Sequence, residues 1–328
     1  MGSERALLVA AGGGLGDTLL AGVVARALRS RWEAVDAVVL PAHAELAARI
    51  PELDRVVPLG AALPGRYAAA VVTWATLRTA LVPWLARIPL RAGQARRLYS
   101  GLFTQQVVVR SELGDRTTHW TQILLDYARA LGCEASDARP AFVPTESDRD
   151  GAQALLRVHD VRGPYAILHP TRGLSAQCAR WPLEGLIALA RRLVARDGVP
   201  LLVSGSLADA AIAEAIAEGA GRGVLAIGGA TSIGVFGALA ERARAVVAMD
   251  SGPMHVAAAV GAPTVGIFAL QSDEPDRWAP LGPRVAVVRP AYPCPPGERK
   301  ETCPNFACVR ELDPARVLAA LDGLLVPS

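Results

Sequence analysis

The strongest constraint on the fold is a rhythm that occurs twice: short apolar runs of strand length alternate with stretches of helical period. Ala6 to Ala11 is apolar and ends in Gly12-Gly-Gly-Leu-Gly16. From Asp17 onward, Leu19, Leu20, Val23, Val24, Ala27 and Leu28 fall on one helical face. Val35 to Leu40 and Tyr67 to Thr73 repeat the strand pattern. Ala42 to Ile50, the stretch running to Ala86, and Trp120 to Leu131 repeat the helical one. Strands that are apolar throughout are buried on both faces, which predicts a parallel sheet covered by helices on either side.

Between Cys133 and Asp150 the chain turns polar and carries Pro140 and Pro144, which marks a linker. The rhythm then restarts. Strands are expected at Tyr165–His169, Val199–Val203, Val224–Ile227, Ala245–Met249 and Thr264–Phe268. Helices are expected at Leu183–Arg196, Leu207–Ala217, Ile233–Ala243, from Pro253, and at Pro314–Leu325. With 328 residues the chain suits two domains. The expectation is an α/β protein of two Rossmann-like domains, 1–150 and 151–328, facing each other across a cleft with the last helix packing back across it.

Apolar residues make up 52% and charged residues 20%, which excludes a disordered chain. A net charge of +3 is too small to argue for nucleic acid. Lys300 is the only lysine, so arginine must do any cationic work elsewhere. Met1 to Arg5 lead directly into an apolar run broken by glycines, so no signal peptide is expected. Gly252 to Leu270 is nearly uncharged, but Gly261-Ala-Pro263 splits it into a short helix and a strand, which excludes a membrane span. Five cysteines, an odd number, fit a cytoplasmic protein with reduced thiols.

Two segments could carry chemistry. Gly12 to Asp17 joins the first strand to the first helix, where glycines permit a tight turn and the helix N-terminus favours anions. It fails as a dinucleotide fingerprint: Asp17 stands where a third glycine belongs, and the second strand ends in Leu40-Pro41 without a ribose-binding acid. Asp17 reads either as a helix N-cap or as a catalytic carboxylate. The second segment is Met249-Asp-Ser-Gly-Pro-Met-His255-Val-Ala-Ala-Ala-Val260-Gly-Ala-Pro-Thr264. There a strand ends at Asp250, and Ser251-Gly252 opens a helix whose first N–H groups can hold a diphosphate.

This second segment resembles the nucleotide-sugar motif of glycosyltransferase family 9, the heptosyltransferases of lipopolysaccharide core assembly. Gly14-Leu-Gly-Asp17 is similar to that family's N-terminal Gly-Asp motif, Arg180-Trp-Pro-Leu-Glu184 to its Trp-Pro segment, and Ser204-Gly-Ser-x-x-Asp209 to its glycine-acid loop. The resemblance implies a GT-B fold and a metal-independent, inverting transfer from a nucleotide sugar, with ADP-heptose the expected donor. On matching positions it implies Asp17 as general base beside Gly14 and Gly16 in the acceptor half. It implies Thr171, Arg180, Asp209, Asp250, Ser251, Gly252 and His255 around the donor. No cofactor is implied. The competing readings are a nucleotide-sugar epimerase or hydrolase, and a non-catalytic nucleotide-sugar-binding protein.

One departure is Ala179, where the family usually has lysine; Arg180 or Arg172 would supply that charge. Asp148-Arg-Asp150 has the form of a metal-binding Asp-x-Asp but sits at a helix start, where capping is its expected role. Cys294, Cys303 and Cys308 lack the paired spacing of a zinc site and read as a structured loop. Between Arg87 and Arg116 six arginines face two acids. Arg91, Arg96 and Arg97 are therefore expected to meet an anionic glycolipid or glycan acceptor, with charge-mediated, peripheral contact at the inner face of a membrane.

Overall fold

The computed structural model describes residues 4–171, 181–268, 274–291 and 307–325. The chain divides into two compact units, Met1–Val143 and Pro144–Ser328. Residues 144–150, read from sequence as the end of the linker, belong to the second unit, because Thr145 starts a helix there. The Thr145 hydroxyl accepts the Asp148 N–H at 3.2 Å, and the Asp148 carboxylate accepts the Thr145 N–H at 2.8 Å. This reciprocal capping box is the role expected of Asp148.

The first unit runs β1 (Arg5–Ala10), α1 (Leu15–Leu20), α2 (Gly22–Leu28), β2 (Ala34–Val39), α3 (Ala44–Ala47), β3 (Arg55–Pro58), β4 (Ala69–Val72), α4 (Leu77–Leu85), β5 (Leu90–Gln94), β6 (Gln105–Val107) and α5 (Trp120–Arg129). Its six strands are parallel in the order β3-β2-β1-β4-β5-β6. Leu7, Val9, Val38, Ala70, Val72, Ile88 and Phe103 pack together in one core cluster. One charge is buried with them: Asp36 on β2 is fully covered and accepts hydrogen bonds from the Arg5 guanidinium and, at 2.8 Å, from the Tyr67 hydroxyl. Burial beside that carboxylate pushes the Tyr67 phenol well above its ordinary range.

The second unit repeats the plan. It runs α6 (Glu146–Val158), β7 (Ala166–His169), α7 (Leu183–Asp197), β8 (Leu201–Val203), α8 (Ala210–Ala220), β9 (Val224–Ala226), α9 (Ile233–Arg242), β10 (Ala245–Met249), α10 (Gly252–Ala259), β11 (Thr264–Ile267), α11 (Pro275–Trp278), β12 (Val285–Val288), α12 (Ala307–Arg310) and α13 (Pro314–Leu325). The order β12-β11-β10-β7-β8-β9 is the same topology as the first sheet, again wholly parallel. Trp181 is buried at the entry to α7, and a Cβ on Gly185 would lie 2.5 Å from its Nε1, so a glycine there lets the indole lie on the helix. The last helix lies on α7 and β12 of its own unit, with Val317 and Leu321 fully buried in that unit's core.

Gly252–Leu270, the stretch with membrane-like composition, forms α10 and β11 as far as it is described. Among the described residues no helix is long and apolar enough to cross a membrane.

Candidate active site

In a sheet of this order the chain leaves the first strand in one direction and the fourth in the other. The strand ends therefore open a crevice where they diverge. In the first unit that point lies between β1 and β4, and Gly12–Asp17 follows β1 directly. Gly13 has φ +69°, and a Cβ there would lie 2.4 Å from the Asp17 Oδ2 atom. Only glycine suits both the backbone and the space. The loop folds the Asp17 carboxylate back over the helix start, where Oδ2 accepts the Gly14 N–H at 2.7 Å.

Asp17 is therefore not the N-cap, which is Gly14; it stands at the third helical position and accepts the N-cap N–H with one oxygen. Among the described residues the other, Oδ1, is shielded from solvent and has no hydrogen-bond partner. Burial raises the carboxyl above its ordinary value, against the opposing pull of the Gly14 N–H. The next residue secures the helix: the Thr18 hydroxyl is hydrogen-bonded to His43 Nδ1 at 2.8 Å in a buried pair, and burial lowers the His43 imidazole, which keeps it neutral. Trp74 follows β4 and lies over Gly12, whose added Cβ would meet the indole Cδ1 at 2.1 Å.

The expected acceptor arginines do not gather. Arg91 pairs with Ala70 in β4, which is level with Leu7 and so far from the C-terminal end of β1. Its guanidinium donates to the Leu102 and Ile88 carbonyls, which makes it a brace. Arg97 pairs with Glu112 at 2.6 Å, and Arg96 is exposed in the turn after β5.

In the second unit the divergence lies between β7 and β10. Thr171 follows β7, and its hydroxyl donates to Asp209 Oδ2 at 3.3 Å. The Ser206 hydroxyl reaches the same oxygen. Asp209 ends the single 3₁₀ turn Leu207–Asp209, and Gly205 gives it room. Beneath them His169 is buried, hydrogen-bonded to Ser204 at 3.1 Å, and held down to about 4 by desolvation despite the Asp209 charge. It is a neutral strut.

On the other side Asp250 follows β10 directly and Ser251 is the N-cap of α10. The Ser251 hydroxyl donates to the Met249 carbonyl at 2.8 Å and makes no capping bond. The first turn, which Gly252 opens, therefore lacks a side-chain cap, and its N–H groups are suited to an anion. His255 is buried one turn in. Arg172, Ala179, Arg180, Cys178, Cys294 and Cys303 lie outside the described residues; Cys308 is buried on α12 in the second core. Among the described residues no three potential ligands are grouped as a metal site would need.

A model of glycosyltransferase family 9 (heptosyltransferase) matches residues 56–307. The chain belongs to glycosyltransferase family 9. The matched stretch includes Asp209 and the Asp250–His255 segment and leaves Asp17 outside it. No curated protein matches the sequence at a significant level. Solved family 9 structures extend the likeness across both units. E. coli ADP-heptose LPS heptosyltransferase II is 22% identical, with 98% of each chain covered and a TM-score of 0.78. The family 9 glycosyl transferase of Veillonella parvula is 18% identical over 99% of this chain and 97% of its own, with a TM-score of 0.82. E. coli heptosyltransferase WaaC, solved with ADP, is 17% identical over 97% and 99%, at 0.72. These likenesses establish the GT-B type of fold, and family membership makes the chain a glycosyltransferase.

Sequence reasoning missed Gly13, the Thr18–His43 pair, Trp74 and the His169–Ser204 strut. Gly13 was legible as one of three consecutive glycines. The others depend on partners 25 to 62 positions away, which no local pattern reveals.

Proposed function

We propose that this protein is an inverting transferase that moves a heptose from ADP-heptose to a hydroxyl of an anionic glycolipid or related glycan, without a metal. The observation that carries the reading is the divided carboxylate of Asp17: Oδ2 is pinned by a backbone N–H, and among the described residues Oδ1 has no partner. A pinned carboxylate with a raised pKa is positioned and basic, as a general base must be.

In the proposed reaction, the Asp17 carboxylate takes the proton of the acceptor hydroxyl as the hydroxyl oxygen attacks the anomeric carbon opposite the leaving phosphate. The bond from that carbon to the diphosphate breaks, and ADP departs with the electron pair. The uncapped first turn of α10, opened by Ser251 and Gly252, would meet the developing charge with fixed N–H donors. Asp209 is assigned to the ribose end of the donor and Thr171 to the diphosphate, and Asp250 and His255 shape the pocket. Arg180 keeps a phosphate role on its motif position alone. ADP in a similarly folded structure supports the choice of base. Arg96 and Arg97 remain the acceptor-side arginines, and an anionic lipid acceptor would bring the protein to the inner face of a membrane.

Calorimetry with ADP, UDP, GDP and NAD, with and without magnesium, tests the donor assignment. ADP binding that magnesium leaves unchanged is the expected result. Preference for UDP or GDP would replace the donor, and binding of NAD or of none would remove the reading. Asp17→Ala should abolish transfer and spare ADP binding.

A further inference from the structure

Helix α4 is oriented against the usual rule. Its buried face consists of Thr79, Ala80 and Pro83, all small. Its outward face carries Leu77, Leu81, Trp84 and Leu85, at the i, i+4, i+7 and i+8 spacing of a single stripe. Leu77 is 57% exposed, Trp84 47% and Leu85 67%. A surface helix normally turns such a stripe inward, so this one is left facing something other than its own core.

Two neighbours extend the stripe. Trp74, 41% exposed, lies just before the helix at the C-terminal end of β4. The Tyr99 hydroxyl donates to the Ala75 carbonyl, which ties the turn after β5 beside the start of α4. That turn presents Leu98, fully exposed, directly after Arg96 and Arg97.

Positive charge predominates around this surface, although Glu112 meets it by pairing with Arg97. From Arg55 to Ser111 there are eight arginines and no aspartate or glutamate. The whole chain carries only +3, so the remainder is net negative and the positive field is concentrated here. Among the described residues no carboxylate pairs with Arg78, Arg87 or Arg96, and all three are exposed.

We propose that the outward face of α4, with the Arg96–Leu98 turn beside it, docks on an anionic lipid bilayer. Apolar side chains with a tryptophan, rimmed by unpaired arginines, suit the boundary between headgroups and acyl chains. A second copy of the chain suits the surface poorly, because a two-fold contact would set the same arginines against each other. The contact combines charge with shallow apolar burial. The proposal deepens the reading above by naming where the enzyme meets a lipid-borne acceptor. Trp74 links the docking face to the Gly12–Asp17 loop, so an acceptor headgroup at the bilayer surface would lie close to Asp17.

The test is cosedimentation of the full chain with acceptor-free vesicles of phosphatidylglycerol or of phosphatidylcholine. Wild-type protein should sediment with the anionic vesicles, less so at high salt. The triple substitution Leu77→Ser, Trp84→Ser, Leu85→Ser should weaken binding at least about tenfold. Arg78→Gln and Arg87→Gln should each weaken it about fivefold. All of these positions are exposed, and an unchanged circular dichroism spectrum and melting temperature of each variant confirm an intact first unit. The proposal is overturned if wild type ignores anionic vesicles, if the triple variant binds them as well as wild type, or if that variant abolishes a dimer instead. Loss of ADP binding by wild type would remove the donor assignment and leave the docking result standing.

Discussion

Replacing Asp17 with asparagine should abolish transfer and at the same time stabilise the first unit. The amide oxygen of asparagine can still accept the Gly14 N–H that now stands 2.7 Å from Oδ2, so the cap survives. What disappears is the charge on a carboxylate whose other oxygen is shielded and unpartnered. An unsatisfied buried polar group costs about 1–3 kcal/mol, and more when charged. A neutral amide should recover about 1 kcal/mol of that, and a unit of this size moves by about 2–4 °C per kcal/mol. The pH dependence gives the sign. Burial raises the Asp17 carboxyl above 3.8 in the folded protein, so the folded state prefers the protonated form. Its favourable contribution is complete below the unfolded value and is lost as pH rises through the folded one. The melting advantage of Asp17→Asn should therefore be absent near pH 3.5, grow above the ordinary carboxylate range, and be full at neutral pH (about 7). Calorimetric melting across that range, beside a transfer assay, measures both effects. Loss of the general base should lower turnover about 10²–10⁴-fold. A variant that melts at or below the wild-type temperature at neutral pH would falsify the burial argument. Transfer within about threefold of wild type would refute the catalytic one, since general bases contribute far more.

Gly13→Ala should lower turnover and leave ADP affinity unchanged, because its Cβ would displace the Asp17 carboxylate; the φ of +69° adds about 1 kcal/mol of destabilisation, read by melting. Asp36→Ala should destabilise the first unit by about 1–3 kcal/mol in urea titration, since it takes the acceptor from the buried Tyr67 hydroxyl while the partly exposed Arg5 can turn to water. Equal stability would show that water reaches that carboxylate. Asp209→Ala should weaken ADP binding about tenfold by calorimetry and leave the affinity for inorganic diphosphate unchanged, as expected of a group that holds the ribose. The acid limb of the turnover profile should lie above the ordinary carboxylate range, set by the Asp17 carboxyl that burial raises, and Asp17→Asn should remove that limb with the activity.

Much of the fold was legible because parallel strands buried on both faces leave an unbroken apolar run. Ala6–Ala11, Val35–Leu40 and Ala245–Met249 each stood within two residues of the strand that forms. Of the four edge strands, Val224–Ala226 was legible and the other three were not. Arg55–Pro58 and Gln105–Val107 are half-solvated, and Val285–Val288 keeps Val287 exposed, so none shows a continuous apolar signal. Helix α6 was expected from its start signal, but its polar first turn read as linker, because only Asp148 and Ala152 are buried along it.

The parts of the candidate site that could be read are those where backbone geometry dictates the residue. Gly12–Gly14 and Ser251-Gly252 follow strand ends at the two points of divergence, where a tight turn and a bare helix start leave few alternatives. Arginines carry no such geometric signature, which is why Arg91 and Arg96 looked equivalent in sequence. Register separates them. Arg91 stands within β5 at the level of Leu7, and nearby carbonyls take its donors; Arg96 stands past the end of β5, with its charge free of any carboxylate among the described residues. The side chain within the strand serves the fold, and the one beyond the strand end remains available to bind.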